Sequence, residues 1–249
     1  MWYNQLSEYL LQEGYKKDPI CPCIFIKRSK NRFVIIVVYV DDINIIGTLE
    51  ELSKVIDCLK KEFEIKDLGR TKFCLGLQVE YLENGILVHQ EAYITRMLKR
   101  FYMDKSRPLP QEKDEEILGP EVPYLSAIGA LMYLANYTRP DIAFAVNLLA
   151  RYSSSPTRRH WIGVKQILRY LRGTMDMGLL YSNVSKPELN GYADACYLSD
   201  PHNDKSQIGY LFTSGGTVIS WRSVKQTISA TSSNHAEILA LHEAIHEYV

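Results

Sequence analysis

Phe33-Val-Ile-Ile-Val-Val-Tyr-Val-Asp41-Asp42-Ile-Asn-Ile-Ile-Gly47 sets two β-branched apolar runs on either side of adjacent aspartates. Such runs around a two-residue polar break read as a hairpin. Residues 33–40 carry no charge, which suits a strand buried on both faces. The run is far short of the roughly 20 apolar residues that span a bilayer. Two readings of the tip stand side by side. Adjacent carboxylates can hold Mg²⁺, which takes a few hard oxygens and keeps other positions for water and phosphate. In two-metal sites, ions roughly 4 Å apart activate the attacking oxygen and stabilise the leaving one. Asp-Asp also suits a plain turn, because Asp accepts left-handed geometry, and Tyr39-Val40-Asp41-Asp42 alone favours that plainer reading.

Working outward, Ile24-Phe25-Ile26 predicts a strand before the 27–32 polar break. Leu49, Leu52, Ile56, Leu59 and Phe63 then recur at helical spacing and predict a helix packed on the hairpin. Residues 72–81 and 86–89 predict a second hairpin around Glu83-Asn84-Gly85. A helix over 90–102 follows. Residues 104–123 hold Pro108, Pro110, Pro120 and Pro123 with Glu112, Asp114, Glu115 and Glu116, so they predict a linker. Helical patterns return over 125–137, 141–152 and 158–172. Strands are expected over 177–181, 189–195, 207–213 and 217–222. The last helix, 232–249, places Ile238, Leu241, Ile245 and Val249 inward.

The 249 residues allow one large domain or two small ones. With 46% apolar and 23% charged residues, disorder, collagen-like repeats and disulfide-dense scaffolds are excluded. Lys+Arg and Asp+Glu both number 29, so any electrostatic argument must be local. The N-terminal residues lack a secretory pattern, which implies an intracellular protein. Five scattered cysteines include one close pair, Cys21-Pro22-Cys23, without the further neighbours a structural zinc needs.

Local charge concentrates at residues 151–172, which contain Arg151, Arg158, Arg159, Lys165, Arg169 and Arg172 and no acid. Arg158, Lys165, Arg169 and Arg172 share a helical face beside Trp161, Val164, Leu168 and Leu171. Such a stripe can track phosphates without sequence specificity, or simply be a solvated face. Arg169-Tyr170-Leu171-Arg172 also spells an RxLR string, but mid-helix and without a signal peptide it does not predict translocation. His160 and His235 have no partner at catalytic spacing and read as surface or cap residues. Asn234-His235-Ala236-Glu237 fits a capping box with Glu237 at its third position.

The first stretch resembles the YVDD box of Ty1/copia-type retrotransposon reverse transcriptase. The similarity continues in order through Lys66-Asp-Leu-Gly69, Phe73-Cys-Leu-Gly76, Gly85-Ile-Leu-Val-His-Gln90, Thr138-Arg-Pro-Asp-Ile142, His160-Trp161 and Leu168-Arg-Tyr-Leu-Arg-Gly-Thr174. It reaches Gly191-Tyr-Ala-Asp194-Ala, Gly209-Tyr210, Ile219-Ser-Trp221, Lys225-Gln226 and Ser232-Ser233 with Ala236-Glu237. The resemblance thus covers essentially the whole chain and moves the Asp41-Asp42 reading from turn to metal site.

The fold it implies is α+β: a partial reverse-transcriptase palm and thumb, a helical connection, and a truncated RNase H-like mixed sheet. The implied segments are 1–89, the later part of the palm; 90–123, a thumb helix and linker; 124–180, the connection; and 181–249, the first half of RNase H. Asp41 and Asp42 would be two of three Mg²⁺-binding aspartates, the third lying upstream of Met1. Tyr39 would lie beside the primer terminus, the 79–89 hairpin would grip the primer, and the basic 95–100 helix would belong to the thumb. Asp194 and Glu237 would be the first two acids of the RNase H site, also Mg²⁺-dependent, with further carboxylates beyond Val249. Cys196 stands where many members carry Asp, and Asn234-His235 where Thr-Glu is common. The implied partners are an RNA/DNA template-primer or hybrid and other Pol or Gag segments, in a cytoplasmic particle or the nucleus, with no membrane. A Pol fragment related to RNA-directed DNA polymerase and ribonuclease H, catalytically incomplete by itself, is therefore expected. The alternative is a retroelement-derived protein that binds nucleic acid or a partner without catalysis, or a non-functional remnant.

Overall fold

A computed structural model describes residues 2–103, 117–183, 186–200 and 204–248. Most of the expected linker, 104–116, and Val249 lie outside the described residues. The chain divides into two compact units, Met1–Thr71 and Lys72–Val249.

The first unit opens with helix α1 (Trp2–Gln12) and continues through β1 (Lys16–Lys17), β2 (Ile24–Ser29), β3 (Arg32–Tyr39), β4 (Asp42–Gly47) and α2 (Leu49–Glu62). The four strands form an antiparallel sheet in chain order. Alternation along β3 buries Val34, Ile36 and Val38 with Phe25, against Leu6 and Leu10 of α1 and Leu59 of α2. The strand is therefore not buried on both faces. Ile35 and Val37 are half-buried, and Phe33 and Tyr39 are 41% and 55% exposed. The all-apolar run suggested cover on both faces, whereas here both helices pack on one face of the antiparallel sheet. Helix α1 answers to a spacing the sequence reading passed over, Leu6 and Leu10 one turn apart. In α2 the expected stripe holds at Leu59, but Leu49 at the first turn is exposed. Glu50 and Glu51 in its first turn and Lys60 and Lys61 in its last complement the helix dipole. The Lys66-Asp-Leu-Gly69 motif closes the unit, with Asp67 accepting the Gly69 N–H at 2.9 Å and pairing with Lys60 at 3.0 Å. Those two interactions, the backbone one first, hold its carboxyl below the usual range.

In the second unit, β5 (Phe73–Cys74), β6 (Leu77–Leu82), β7 (Gly85–His89) and β8 (Leu179–Ser182) form an antiparallel sheet. The expected 72–81 strand is interrupted: Leu75 and Gly76 both have positive φ, 52° and 82°, and form the two-residue turn between β5 and β6. Tyr133 Oη donates to the Leu75 carbonyl at 2.8 Å and locks that turn. At Gly85 a β-carbon would collide with the Tyr181 carbonyl, because β8 pairs alongside. Thus β8 completes the sheet of the second hairpin instead of opening the following one. Helices α3 (Glu91–Arg100), α4 (Tyr124–Tyr137), α5 (Ala143–Ala150) and α6 (Arg158–Gly173) enclose the main core, centred on Ile94, Leu131, Leu134, Val164, Leu168 and Leu171. The expected 141–152 helix starts instead as a 3₁₀ turn, Pro140–Ile142.

That turn carries a buried staple. Arg139, 1% exposed, makes a bidentate pair with Asp141 at 3.0 and 2.7 Å and donates to the carbonyl and hydroxyl of Thr174 at 2.9 and 2.7 Å. Its guanidinium lies 5.5 Å from the Tyr170 ring centroid. The preceding Thr138 hydroxyl donates to Oε1 of buried Gln90 at 2.8 Å, tying α4 to the end of β7.

Finally, β9 (Leu189–Asp200), β10 (Lys205–Ser214) and β11 (Thr217–Lys225) form a sheet in the order β11-β10-β9, with α7 (Ser233–Tyr248) against β9 and β10. All its pairings are antiparallel, which corrects the expectation of a mixed sheet: consecutive strands joined by short turns meander, and a parallel neighbour needs a long crossover. The phase of α7 is also corrected. Ala236, Ala240 and Ala244 face inward, while Ile238, Leu241 and Ile245 are more than half exposed. Small residues allow the helix axis close to the sheet, where Ala193 and Ala195 are equally small.

Candidate metal and nucleic-acid site

The β3–β4 hairpin is closed by the Tyr39–Asp42 pair, leaving Val40 and Asp41 as its two-residue tip. Val40 has φ +51°, a left-handed conformation that β-branched side chains avoid, so the tip is strained. Strand alternation puts Tyr39 and Asp42 on the open face of the sheet, opposite the α1/α2 core. Both aspartates are exposed, and among the described residues no hydrogen bond or ion pair engages either carboxylate. Acceptor-only oxygens on two consecutive residues, exposed and unspent, fit the hard-oxygen preference of Mg²⁺. Asn44, two residues further along β4 on the same face, receives the Thr71 hydroxyl at 3.1 Å.

The second acid pair is arranged differently. Asp194 pairs with Gly209, on the sheet face shared by Cys196, Gln207 and Trp221. That face turns toward α5: Gln207 Nε2 donates to Asn147 Oδ1 at 3.0 Å and to Ser223 Oγ at 2.9 Å. Asp194 and Cys196 line a cavity of about 260 Å³ there, with Phe144 and Trp221 among its walls. Helix α7 covers the opposite face, where Ser220 Oγ donates to Glu247 at 2.9 Å and the Tyr210 hydroxyl meets the same carboxylate. Asp194 and Glu237 are thus carried on opposite sides of the sheet, and that arrangement is not an assembled Mg²⁺ cradle. Among the described residues, no three His, Cys, Asp or Glu side chains cluster as metal ligands. Glu237 is not the cap either. Ser232 caps α7 by accepting the His235 N–H at 3.1 Å, and the His235 ring takes the Thr231 N–H at 3.3 Å.

The basic stripe lies on α6 as spaced. Lys165 packs over Trp161, 5.7 Å from its centroid. Burial, then the Arg169 and Arg158 charges, push the Lys165 ammonium below its usual range, so these three cations feel one another. Arg172 is engaged with the Met103 carbonyl at 3.3 Å. His160 serves as a cap: its Nδ1 accepts the Thr157 N–H at 3.0 Å, and its ring stacks on Tyr152 at 3.8 Å. In the hairpin read as a primer grip, His89 is buried and meets Glu80 at 3.1 Å. The cavity walls Phe144 and Gln207, and the Arg139 staple, carry no periodic sequence signal and went unforeseen.

Residues 1–111 match the family model described as reverse transcriptase (RNA-dependent DNA polymerase). The whole chain is 39% identical to the retrovirus-related Pol polyprotein from transposon TNT 1-94 of Nicotiana tabacum, covering 20% of it. Over 95% of the chain it is 33% identical to the Pol polyprotein from transposon RE2 of Arabidopsis thaliana, covering 17% of that protein. About half of the chain (51%) is 46% identical to secreted RxLR effector protein 161 of Plasmopara viticola, covering 90% of it. No solved structure matches the chain. The chain belongs to the copia-type retrotransposon Pol family, and it spans about a fifth of the length of the Pol polyproteins it matches. No helix among the described residues is long and apolar enough to cross a membrane.

Proposed function

We propose that this chain supplies part of an RNA-directed DNA polymerase, with Asp41 and Asp42 as two of its Mg²⁺ ligands and Tyr39 beside the primer terminus. The observation that carries this reading is the strained hairpin turn, which leaves the Asp41 carboxylate exposed at the tip and the Asp42 carboxylate exposed on the open sheet face beside it, both unspent. Bound there, Mg²⁺ would supply charge neutralisation for in-line phosphoryl transfer. The protein's own contribution is to hold the two carboxylates rigidly at a tight turn and to present the Tyr39 ring on the same face. The α6 cations Arg158, Lys165, Arg169 and Arg172 would track the phosphates of a template-primer or RNA/DNA hybrid. The segment boundaries proposed are those of the resemblance: 1–89 palm, 90–123 thumb helix and linker, 124–180 connection, and 181–249 RNase H-like. The three-stranded meander with α7 on one face supports the last assignment.

Two carboxylates do not complete a two-metal site, so the isolated chain is expected to lack polymerase activity. The decisive measurement is a Mn²⁺ titration of the purified chain by electron paramagnetic resonance. Weak Mn²⁺ binding that disappears in Asp41→Asn/Asp42→Asn supports the site, and binding unchanged in that variant refutes it. Templated, Mg²⁺-dependent primer extension by the same preparation would overturn the incompleteness.

A second reading, binding of hybrid without catalysis, rests on the α6 stripe. It predicts salt-sensitive hybrid binding that survives Asp41→Asn and Asp194→Asn and fails in Arg169→Glu.

A further inference from the structure

Outside both acid pairs, α7 carries His242-Glu243-Ala244-Ile245-His246. Residues four apart lie one above the other on a helix. The two imidazole rings stand face to edge, 4.5 Å between centroids and 70° between planes. Both side chains are exposed, and among the described residues no hydrogen bond or ion pair occupies either ring. The turn that bears them is anchored, since Glu247, the next residue, receives the Ser220 hydroxyl at 2.9 Å and the Tyr210 hydroxyl. The rings therefore project from a fixed helical turn into solvent.

We propose that His242 and His246 form a bidentate site for a borderline transition-metal ion, Zn²⁺, Ni²⁺ or Cu²⁺, with water completing the coordination shell. Two nitrogens each about 2.05 Å from a tetrahedral ion are about 3.3 Å apart, a separation that rings at this spacing reach by small side-chain rotations. Imidazole nitrogen selects these ions, whereas Mg²⁺ prefers the carboxylate oxygens of the hairpin tip, so the two sites differ in chemistry. The His-Glu-x-x-His spacing is also that of helical zinc hydrolases, but a hydrolytic centre takes a third protein ligand. Among the described residues none joins the pair. The site accordingly binds metal and clamps the last turns of α7, without hydrolytic chemistry.

The test is calorimetric titration of the full chain with Ni²⁺, repeated for His242→Gln, His246→Gln and the double variant. One saturable site is expected, weakened at least tenfold by either single change and abolished by both, and not displaced by excess Mg²⁺. Zn²⁺ should raise the melting temperature of the wild type and leave that of the double variant unmoved. Because both rings are exposed, the glutamine variants should keep the far-ultraviolet helical signal of the wild type, which checks their folding independently. Ni²⁺ binding unchanged in the double variant would overturn the proposal and point elsewhere, for instance to Cys21 and Cys23, whose sulfurs lie 3.2 Å apart. Loss on changing only one of the two histidines would overturn bidentate chelation.

Discussion

Replacing Arg139 by leucine removes the staple between α4 and the end of α6. Four hydrogen bonds disappear: two to Asp141 at 3.0 and 2.7 Å and two to Thr174 at 2.9 and 2.7 Å. Breaking a buried ion pair from one side costs about 3–5 kcal/mol, mostly because the abandoned charge stays desolvated. The Asp141 side chain is 29% exposed, so water can reach it in part, and it keeps its contact with the Tyr170 hydroxyl. Both effects place the loss near the lower bound, about 3 kcal/mol, with roughly 1 kcal/mol more from the unpaired Thr174 carbonyl. Urea denaturation of the full chain, followed by tryptophan fluorescence and linear extrapolation, measures it. Asp141 adds a pH signature. Burial alone would raise its carboxyl, but hydrogen bonds from Arg139 and Tyr170 outweigh burial and hold it below 3.8. Its stabilising contribution is therefore present above about pH 4 and lost as pH falls below that value. In Arg139→Leu the carboxyl should titrate higher, moving acid destabilisation upward in pH. Arg139→Leu/Asp141→Leu should recover at least half of the loss, since no charge is then stranded. A loss under about 1 kcal/mol, or no recovery in the double variant, would refute the argument.

Three other outcomes are expected. Val40→Gly should raise stability by about 0.5–1 kcal/mol, because relief of a left-handed β-branched residue exceeds the added chain entropy of glycine; a lower unfolding midpoint would show the tip to be unstrained. Ala240→Leu should cost about 1–3 kcal/mol by overpacking the interface between α7 and the sheet, while Leu241→Gln should stay within about 0.5 kcal/mol; the reverse order in urea midpoints would restore the other helix phase. His160 is held below 6.5 by burial and then by Arg159. Its neutral ring accepts the Thr157 N–H, so its stabilisation is full above pH 6.5 and falls as pH drops below it. Wild type should therefore lose more stability than His160→Gln between pH 7.5 and 5.5, and identical losses would count against the cap.

Much of the candidate site was legible in the chain. Alternating β-branched runs around Asp41-Asp42 imply a hairpin there whatever the rest of the molecule does, since that outcome rests on local pairing and turn chemistry, though the Tyr39–Asp42 pair sets the turn one residue earlier, at Val40-Asp41. The α6 stripe is equally local, because helical spacing alone aligns Arg158, Lys165 and Arg169. The capping role of His160 follows from its position three residues after Thr157.

What escaped the sequence depends on which neighbour each surface meets. The eight apolar residues of 33–40 could not say that both helices would choose one face of the sheet, leaving Phe33 and Tyr39 open on the other. Larger side chains at Ile238, Leu241 and Ile245 pointed to an inward stripe, yet close approach to Ala193 and Ala195 favoured Ala236, Ala240 and Ala244 at the contact. Leu179–Ser182 carries no mark of which sheet it will join, and pairing with Gly85–His89, some ninety residues earlier, decided it. Asp194 and Glu237 were expected to converge, and the placement of α7 set them on opposite sides of β9. Local chemistry therefore determined the elements, the aspartate tip and the cationic stripe. Packing decided the faces, because burial is a property of pairs of surfaces and one surface alone does not name its partner.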